Sequence, residues 1–189
     1  AKLDTEKEYI GSVSTDNVAA VEKVANYLLE KNHRDIVVVA GKKETYVDEW
    51  RLAGVRKAFA AYGLTLSEEQ IINGKYSEQA AYEAAKAYLK QHQPTAFLCF
   101  SDLMALGVMK AVEEAGLSIP DDISVTGFDG LVITAFTHPP LTTVQQNFFE
   151  MGRQAATLLI QLMEEEETDR HIYVDYEFIE RESVALVKE

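Results

Sequence analysis

The sequence predicts an α/β protein built on a doubly wound parallel sheet, and three observations predict it. Short aliphatic, β-branched runs alternate with segments of helical apolar spacing from residue 9 to residue 126. Such alternation with short connections yields parallel strands joined by right-handed crossovers. The run Ile36-Val37-Val38-Val39-Ala40 has no polar member, the signature of a strand covered on both faces. Finally, several strand candidates are closed by glycine, at Gly41, Gly74 and Gly127. In an open sheet of this class, ligands bind outside the carboxyl ends of the strands, so residues just beyond these stops form the candidate site.

The elements follow in order. Residues 9–13 read as a short strand, and Ser14-Thr15-Asp16-Asn17 supplies helix-capping chemistry. Residues 18–30 place Val21, Val24, Ala25, Leu28 and Leu29 at helical spacing, with Asn32 as a left-handed stop. After the strand at 36–40, residues 42–47 form a polar loop. Residues 48–62 form a helix closed by Gly63, and Ile71-Ile72 a short strand. Ser77 caps a helix over 78–91, broken before Pro94; residues 96–100 are the next strand. Ser101 caps a helix that runs to Ala115 and closes at Gly116, and residues 123–126 form a further strand. Beyond Pro139-Pro140 the rhythm changes. Residues 141–144 look extended, 147–164 form a long helix, and 164–167 are an acidic run read as a solvated end. Alternation of Ile172, Val174, Tyr176 and Phe178 predicts one half-buried strand, and residues 185–187 a last short one.

Composition narrows the function. The chain has 189 residues, with 18 Lys plus Arg against 31 Asp plus Glu and a net charge of -13. A balance this acidic opposes unaided binding of a phosphate backbone. Cys99 is the single cysteine and sits inside an apolar run. A lone thiol excludes an internal disulfide and suits a reducing, cytoplasmic setting. It reads as a small core hydrophobe rather than a nucleophile. No apolar run approaches membrane-spanning length.

Enzyme motifs are absent. The segment Gly41-Lys42-Lys43 resembles a phosphate loop only briefly. Ile36 stands where a Walker loop needs glycine, and Lys43 where it needs Ser or Thr. His33, His92, His138 and His171 are scattered at surface-like positions without metal-ligand spacing. No metal, cofactor or catalytic pair is therefore expected. The strand ends are more informative. They bring Arg51, Tyr76, Ser101 with Asp102, and Asp129 towards one rim. Fork donors, a carboxylate acceptor and an aromatic face suit a polyhydroxyl ligand. Taken singly, each has another reading: Arg51 as a surface arginine, Ser101 and Asp102 as helix caps, Tyr76 as packing.

Five segments carry a family resemblance: Arg51-Leu52-Ala53-Gly54, Pro94-Thr95-Ala96, Ser101-Asp102-Leu103-Met104-Ala105-Leu106-Gly107, residues 119–129 (Ile-Pro-Asp-Asp-Ile-Ser-Val-Thr-Gly-Phe-Asp) and Pro139-Pro140-Leu141-Thr142-Thr143-Val144. In order and over nearly the whole chain, they resemble the ligand-binding core of LacI/GalR transcriptional repressors. The resemblance implies a Rossmann-like subdomain of a periplasmic-binding-protein-like fold, with a small effector, a sugar or sugar phosphate, held between two subdomains. It places Arg51, Tyr76, Ser101 and Asp129 on effector contacts, and Asp16 and Gln146 at crossover positions lining the cleft. It implies a homodimer that uses Leu106, Met109, Leu131, Val132 and Phe136. Operator DNA would be held only through an N-terminal helix-turn-helix that these residues do not include. Two departures stand out: Ser101 replaces a common Asn, and Gly130 replaces a common second acid. Lys42 and Lys43 would suit a phosphorylated sugar, although solvated loop lysines are the simpler reading.

The implied division assigns residues 1–12 to a remnant of a first subdomain and 13–143 to the second, effector-binding one. Residues 144–171 form a helix of the first, and 172–189 return to complete the second. On this reading Phe148, Met151, Ala155, Leu158 and Leu162 form an apolar helix face without a partner layer. Two rival functions share the scaffold: an exported sugar-binding protein serving a transporter, and an enzyme on a Rossmann-like frame.

Overall fold

The computed structural model describes residues 11–42, 45–164 and 168–187. The elements are β1 (Ser12–Ser14), α1 (Asn17–Glu30), β2 (Ile36–Ala40), α2 (Tyr46–Ala61), β3 (Ile71–Asn73), α3 (Glu78–Leu89), β4 (Ala96–Cys99), α4 (Asp102–Glu114), β5 (Ser124–Thr126), β6 (Thr143–Gln146), α5 (Phe148–Met163), β7 (His171–Tyr173) and β8 (Tyr176–Ile179). Among the described residues the five α-helices begin the same way. The side chains of Asp16, Thr45, Ser77, Ser101 and Asn147 each accept the amide three residues on, which satisfies one of the donors a helix start leaves open. Asn32, Gly63 and Gly116 end helices with φ of 66°, 68° and 76°, the left-handed stop that glycine and asparagine accept most readily.

β2, β3, β4 and β5 form a parallel sheet in the order β3-β2-β4-β5. β2 lies in the middle, paired with β4 from Ile36–Ala96 to Val39–Cys99. Every residue of β2 and of β4 is buried, as an all-apolar run requires. α1 packs on α2, and α3 on α4, so the sheet is covered by two helix pairs. Both pairs depend on a close approach. A Cβ at Gly54 would stand 2.5 Å from the Val18 carbonyl of α1, and one at Gly107 would stand 2.2 Å from the Glu78 carbonyl of α3. Any larger residue there would push its helices apart.

The later elements depart from this sheet. β6 runs beside the end of β5, where the Gly127 amide donates to the Thr142 carbonyl and the Asp129 amide to the Val144 carbonyl. β6 pairs antiparallel with β8, whereas β1 pairs parallel with β7 and packs on α5.

The structure corrects several expectations. The single strand expected over 172–178 is two strands in different sheets, broken at Val174-Asp175. Consequently the expected boundary between residues 171 and 172 falls inside β7. Residues 185–187 are not a strand; they are tied down by the Ala185 amide on Ser124 Oγ and the Val187 amide on the Lys31 carbonyl. The strand expected at 9–13 is seen as β1, with Tyr9 and Ile10 outside the described residues, as are Lys43 and Glu165–167 of the acidic run. α2 starts two residues earlier than expected because Thr45 caps it. His33 is buried, not surface-like: its Nε2 lies 3.1 Å from the Ala185 carbonyl, and burial pushes its pKa down. The apolar face expected on α5 is divided. Leu158 is buried and Met151 and Leu162 are half-buried, while Phe148 and Ala155 face outward with Phe149, Leu159, Ile160 and Met163. Among the described residues no helix is long and apolar enough to cross a membrane.

Candidate functional site

The carboxyl ends of β1, β2, β4, β5 and β6 bring most of the expected site residues together. Arg51, one turn into α2, is 5% exposed. Its Nε donates to Asn17 Oδ1 at 2.8 Å, its Nη1 donates to the Phe100 carbonyl, and its guanidinium lies 3.7 Å from the centre of the Phe128 ring. The arginine therefore bridges the start of α1, the end of β4 and the end of β5. Burial pushes its pKa down, while Tyr76, Asp129 and Asp48 nearby favour its charge. The alternative reading of Arg51 as a surface arginine is overturned by this burial.

Asp129 follows β5. Its φ of 129° is a conformation that side-chain-bearing residues rarely adopt. Strain of this kind persists only where surroundings enforce it, and it clusters at functional sites. Its Oδ1 accepts Gln146 Nε2 at 2.9 Å, and its carbonyl accepts the Gln146 amide at 3.1 Å. Gln146 Oε1 in turn accepts the hydroxyl of Thr15 at 2.9 Å. One glutamine thus links the chain entering α1, the end of β5 and the crossover strand β6. Burial raises the Asp129 carboxyl to about 6; Arg51 opposes this and Asp102 adds to it.

Tyr76 lies over Gly41, where a Cβ would stand 1.9 Å from its ring, and its hydroxyl donates to Asp48 Oδ1 at 2.9 Å. Burial pushes its phenol pKa up. Asp16 caps α1 through the Ala19 amide at 3.0 Å, and Ser101 caps α4 through the Met104 amide at 3.2 Å. Both stand beside the rim, but the bonds seen for their side chains are capping bonds.

Four residues of the arrangement escaped sequence reasoning as site members. Asp48, 3% exposed, accepts the amides of Gly41 and Lys42 and the hydroxyls of Thr45 and Tyr76. It holds the β2–α2 loop and the aromatic ring in place. Asn17 and Thr15 orient Arg51 and Gln146, and Phe128 is the face under the guanidinium. The available signal was position: each stands one to three residues from an expected contact, at a strand end or helix start.

The expected dimer residues fall in one region. Val132 and Phe136 are 81% and 70% exposed, and Leu131 is half-buried. Leu106 and the buried Met109 line a neighbouring groove of about 620 Å³ with Leu117, Ile119 and Pro139. Cys99 is buried, and burial pushes its thiol pKa up.

Comparison with known proteins identifies the family to which the fold belongs. Residues 25–184 match the family described as periplasmic binding protein-like domain. The chain is 35% identical over 178 residues to the HTH-type transcriptional regulator MalR of Clostridium butyricum, covering 94% of this chain and 53% of MalR. The transcriptional regulator CelR in complex with cellobiose superposes with a TM-score of 0.89 at 27% identity, covering 96% of this chain and 56% of CelR. A LacI family regulator from Enterococcus faecium with bound ribose gives a TM-score of 0.86 at 27% identity, covering 97% and 68%. The chain spans about half the length of the curated relatives it matches. The sequence segments, the sheet order and these matches agree: the chain belongs to the periplasmic binding protein-like domain family, and its homologues are LacI-family transcriptional regulators.

Proposed function

We propose that this chain is the effector-sensing and dimerisation part of a cytoplasmic LacI/GalR-type regulator, and that it is not an enzyme. The observation that carries the reading is the Arg51–Asp129–Gln146 arrangement at the carboxyl ends of the strands. A cation and a carboxylate with an amide and an aromatic ring nearby suit the hydroxyls of a sugar or sugar phosphate. Two structural neighbours were solved with ribose and cellobiose bound, which supports a sugar. Arg51, Tyr76, Asp129 and Gln146 would contact the effector directly, with Asp16 and Ser101 beside them. The effector would close residues 13–143, with β8 and the chain after it, against a second subdomain that includes residues 1–12 and 144–173, the boundary falling after β7 rather than inside it. That closure would bias operator binding by a helix-turn-helix region beyond these residues. A second copy of the chain would cover Leu106, Met109, Leu131, Val132 and Phe136. The matched relatives are named as transcriptional regulators, which favours this reading over a transporter's exported binding protein.

Calorimetric titration of sugars and sugar phosphates into the full-length regulator tests the assignment. The expected result is one saturable effector, lost in Asp129→Ala, while sedimentation still reports a dimer. Undiminished binding by Asp129→Ala would remove Asp129 from the site.

A further inference from the structure

Asp102 opens α4 and has 0% exposure. A carboxylate is expensive to bury unless its oxygens are satisfied, and those of Asp102 are satisfied by two separate segments. Oδ1 accepts the Thr143 hydroxyl at 2.6 Å, at the start of β6. Oδ2 accepts the Leu131 amide at 2.7 Å, and the Gly130 amide is a further donor to the carboxyl. The Asp102 amide itself donates to the Phe128 carbonyl at 2.7 Å. One residue therefore grips the loop on both sides of Asp129. This grip is a physical reason why Asp129 and Gly130 hold φ of 129° and 75° in succession. An acid that merely complements a helix N-terminus needs none of these contacts.

We propose that Asp102 is a positioning residue for the effector site. It fixes Asp129 in its ligand-facing conformation and joins it to Thr143 on the crossover strand and to the apolar segment that begins at Leu131. The proposal rests on the reading of Asp129 as an effector contact, and it adds a mechanical route out of the site. A ligand that shifts Asp129 must load the bonds from Asp102 to Leu131 and Thr143. The first leads to Val132 and Phe136, the second to Gln146. Movement of β6 during closure would load the same carboxylate from the other end.

The test needs no ligand, so its outcome is separate from whether a sugar binds. Backbone amide exchange and side-chain amide resonances are followed by NMR in the wild-type chain and in Asp102→Ala, Asp102→Asn and Thr143→Val. In Asp102→Ala the Leu131 amide is expected to lose protection by at least roughly tenfold relative to interior amides of α4, the scale of one lost charge-assisted hydrogen bond. The Gln146 side-chain amide, which sits on Asp129, is expected to shift with it. Asp102→Asn keeps an acceptor for Leu131 and a donor for Thr143, so it should restore both signals. If it restores neither, charge rather than position is at work and the proposal is overturned. Thr143→Val covers the case in which Asp102→Ala does not fold, and should move both signals in the same direction. Leu131 protection and a Gln146 resonance that match wild type in the folded variant would reduce Asp102 to a helix charge and overturn the proposal.

Discussion

Asp129 carries a backbone conformation and a charge that both cost free energy in the unliganded chain. The charge has a measurable consequence. Burial, reinforced by Asp102 and opposed by Arg51 and Gln146, lifts its pKa from 3.8 to about 6. Between those values the folded chain holds a proton that the unfolded chain releases. The stability contributed by protonated Asp129 is thus complete at low pH and is lost as pH rises through about 6. The full difference is of order 2–3 kcal/mol. Asp129→Asn keeps an oxygen for Gln146 and removes the titration. Thermal melts from pH 4 to 7.5 should therefore show the variant gaining on wild type as pH climbs from about 4 to about 6 and keeping that gain above 6, with little difference near pH 4. Parallel profiles would mean that Asp129 is ionised at no cost. A ligand that offers hydroxyl donors to the carboxylate would relieve this cost, which gives the site a reason to prefer its bound state.

At the scale of elements, α5 is the least supported helix. Of its residues only Leu158 is buried, packed where a Cβ on Gly11 would stand 2.7 Å from its Cδ2, while Phe149 and Met163 are 84% and 77% exposed. Leu158→Ala should free α5 from β1, costing that contact about 2–4 kcal/mol. Phe149→Glu should change stability by less than about 0.5 kcal/mol and reduce self-association and hydrophobic-dye binding. Amide exchange in α5 and analytical ultracentrifugation read the two effects. A Phe149→Glu variant as unstable as Leu158→Ala would place Phe149 in a contact the fold does not show. The sequence made some of these elements plain and hid others. β2 was legible because an all-apolar β-branched run has few other uses, and Ser77 and Ser101 because caps act locally. The break between β7 and β8 was hidden because the alternation of Ile172, Val174, Tyr176 and Phe178 continues through it; only pairing partners separate the two strands. At the site, Arg51 and Asp129 were legible from strand ends. Asp48 was not, because a buried carboxylate in a first helical turn has the same sequence appearance as an exposed one. His33 was missed for a similar reason: it lies among Asn32, Arg34 and Asp35, and only the returning chain at Ala185 buries it.

For the molecule as a whole, charge decides what the chain does alone. Its net charge is -13, and several cations are already engaged. Lys57 pairs with Glu22, Lys86 with Glu114, Arg153 with Glu150 and Lys31 with Glu180, while Arg51 and Arg181 donate to interior carbonyls. Affinity for duplex DNA comes chiefly from cations that displace counterions along the phosphates. This chain instead presents a field that repels them. Two outcomes follow from the one cause. A duplex carrying a family operator should show no retarded complex with the 189-residue chain, even near 50 mM salt, where such contacts are strongest. Raising salt from about 10 to about 150 mM shortens the screening length from roughly 30 to 8 Å, so it should raise the melting temperature by weakening self-repulsion. The surface ion pairs oppose this trend, yet exposed pairs contribute only about 0–1 kcal/mol each, and the excess of acids is the larger quantity. A melting temperature that falls with salt would show that the pairs outweigh the net charge. A salt-sensitive DNA complex would show a basic face strong enough to overcome it, and would move operator contact into these residues.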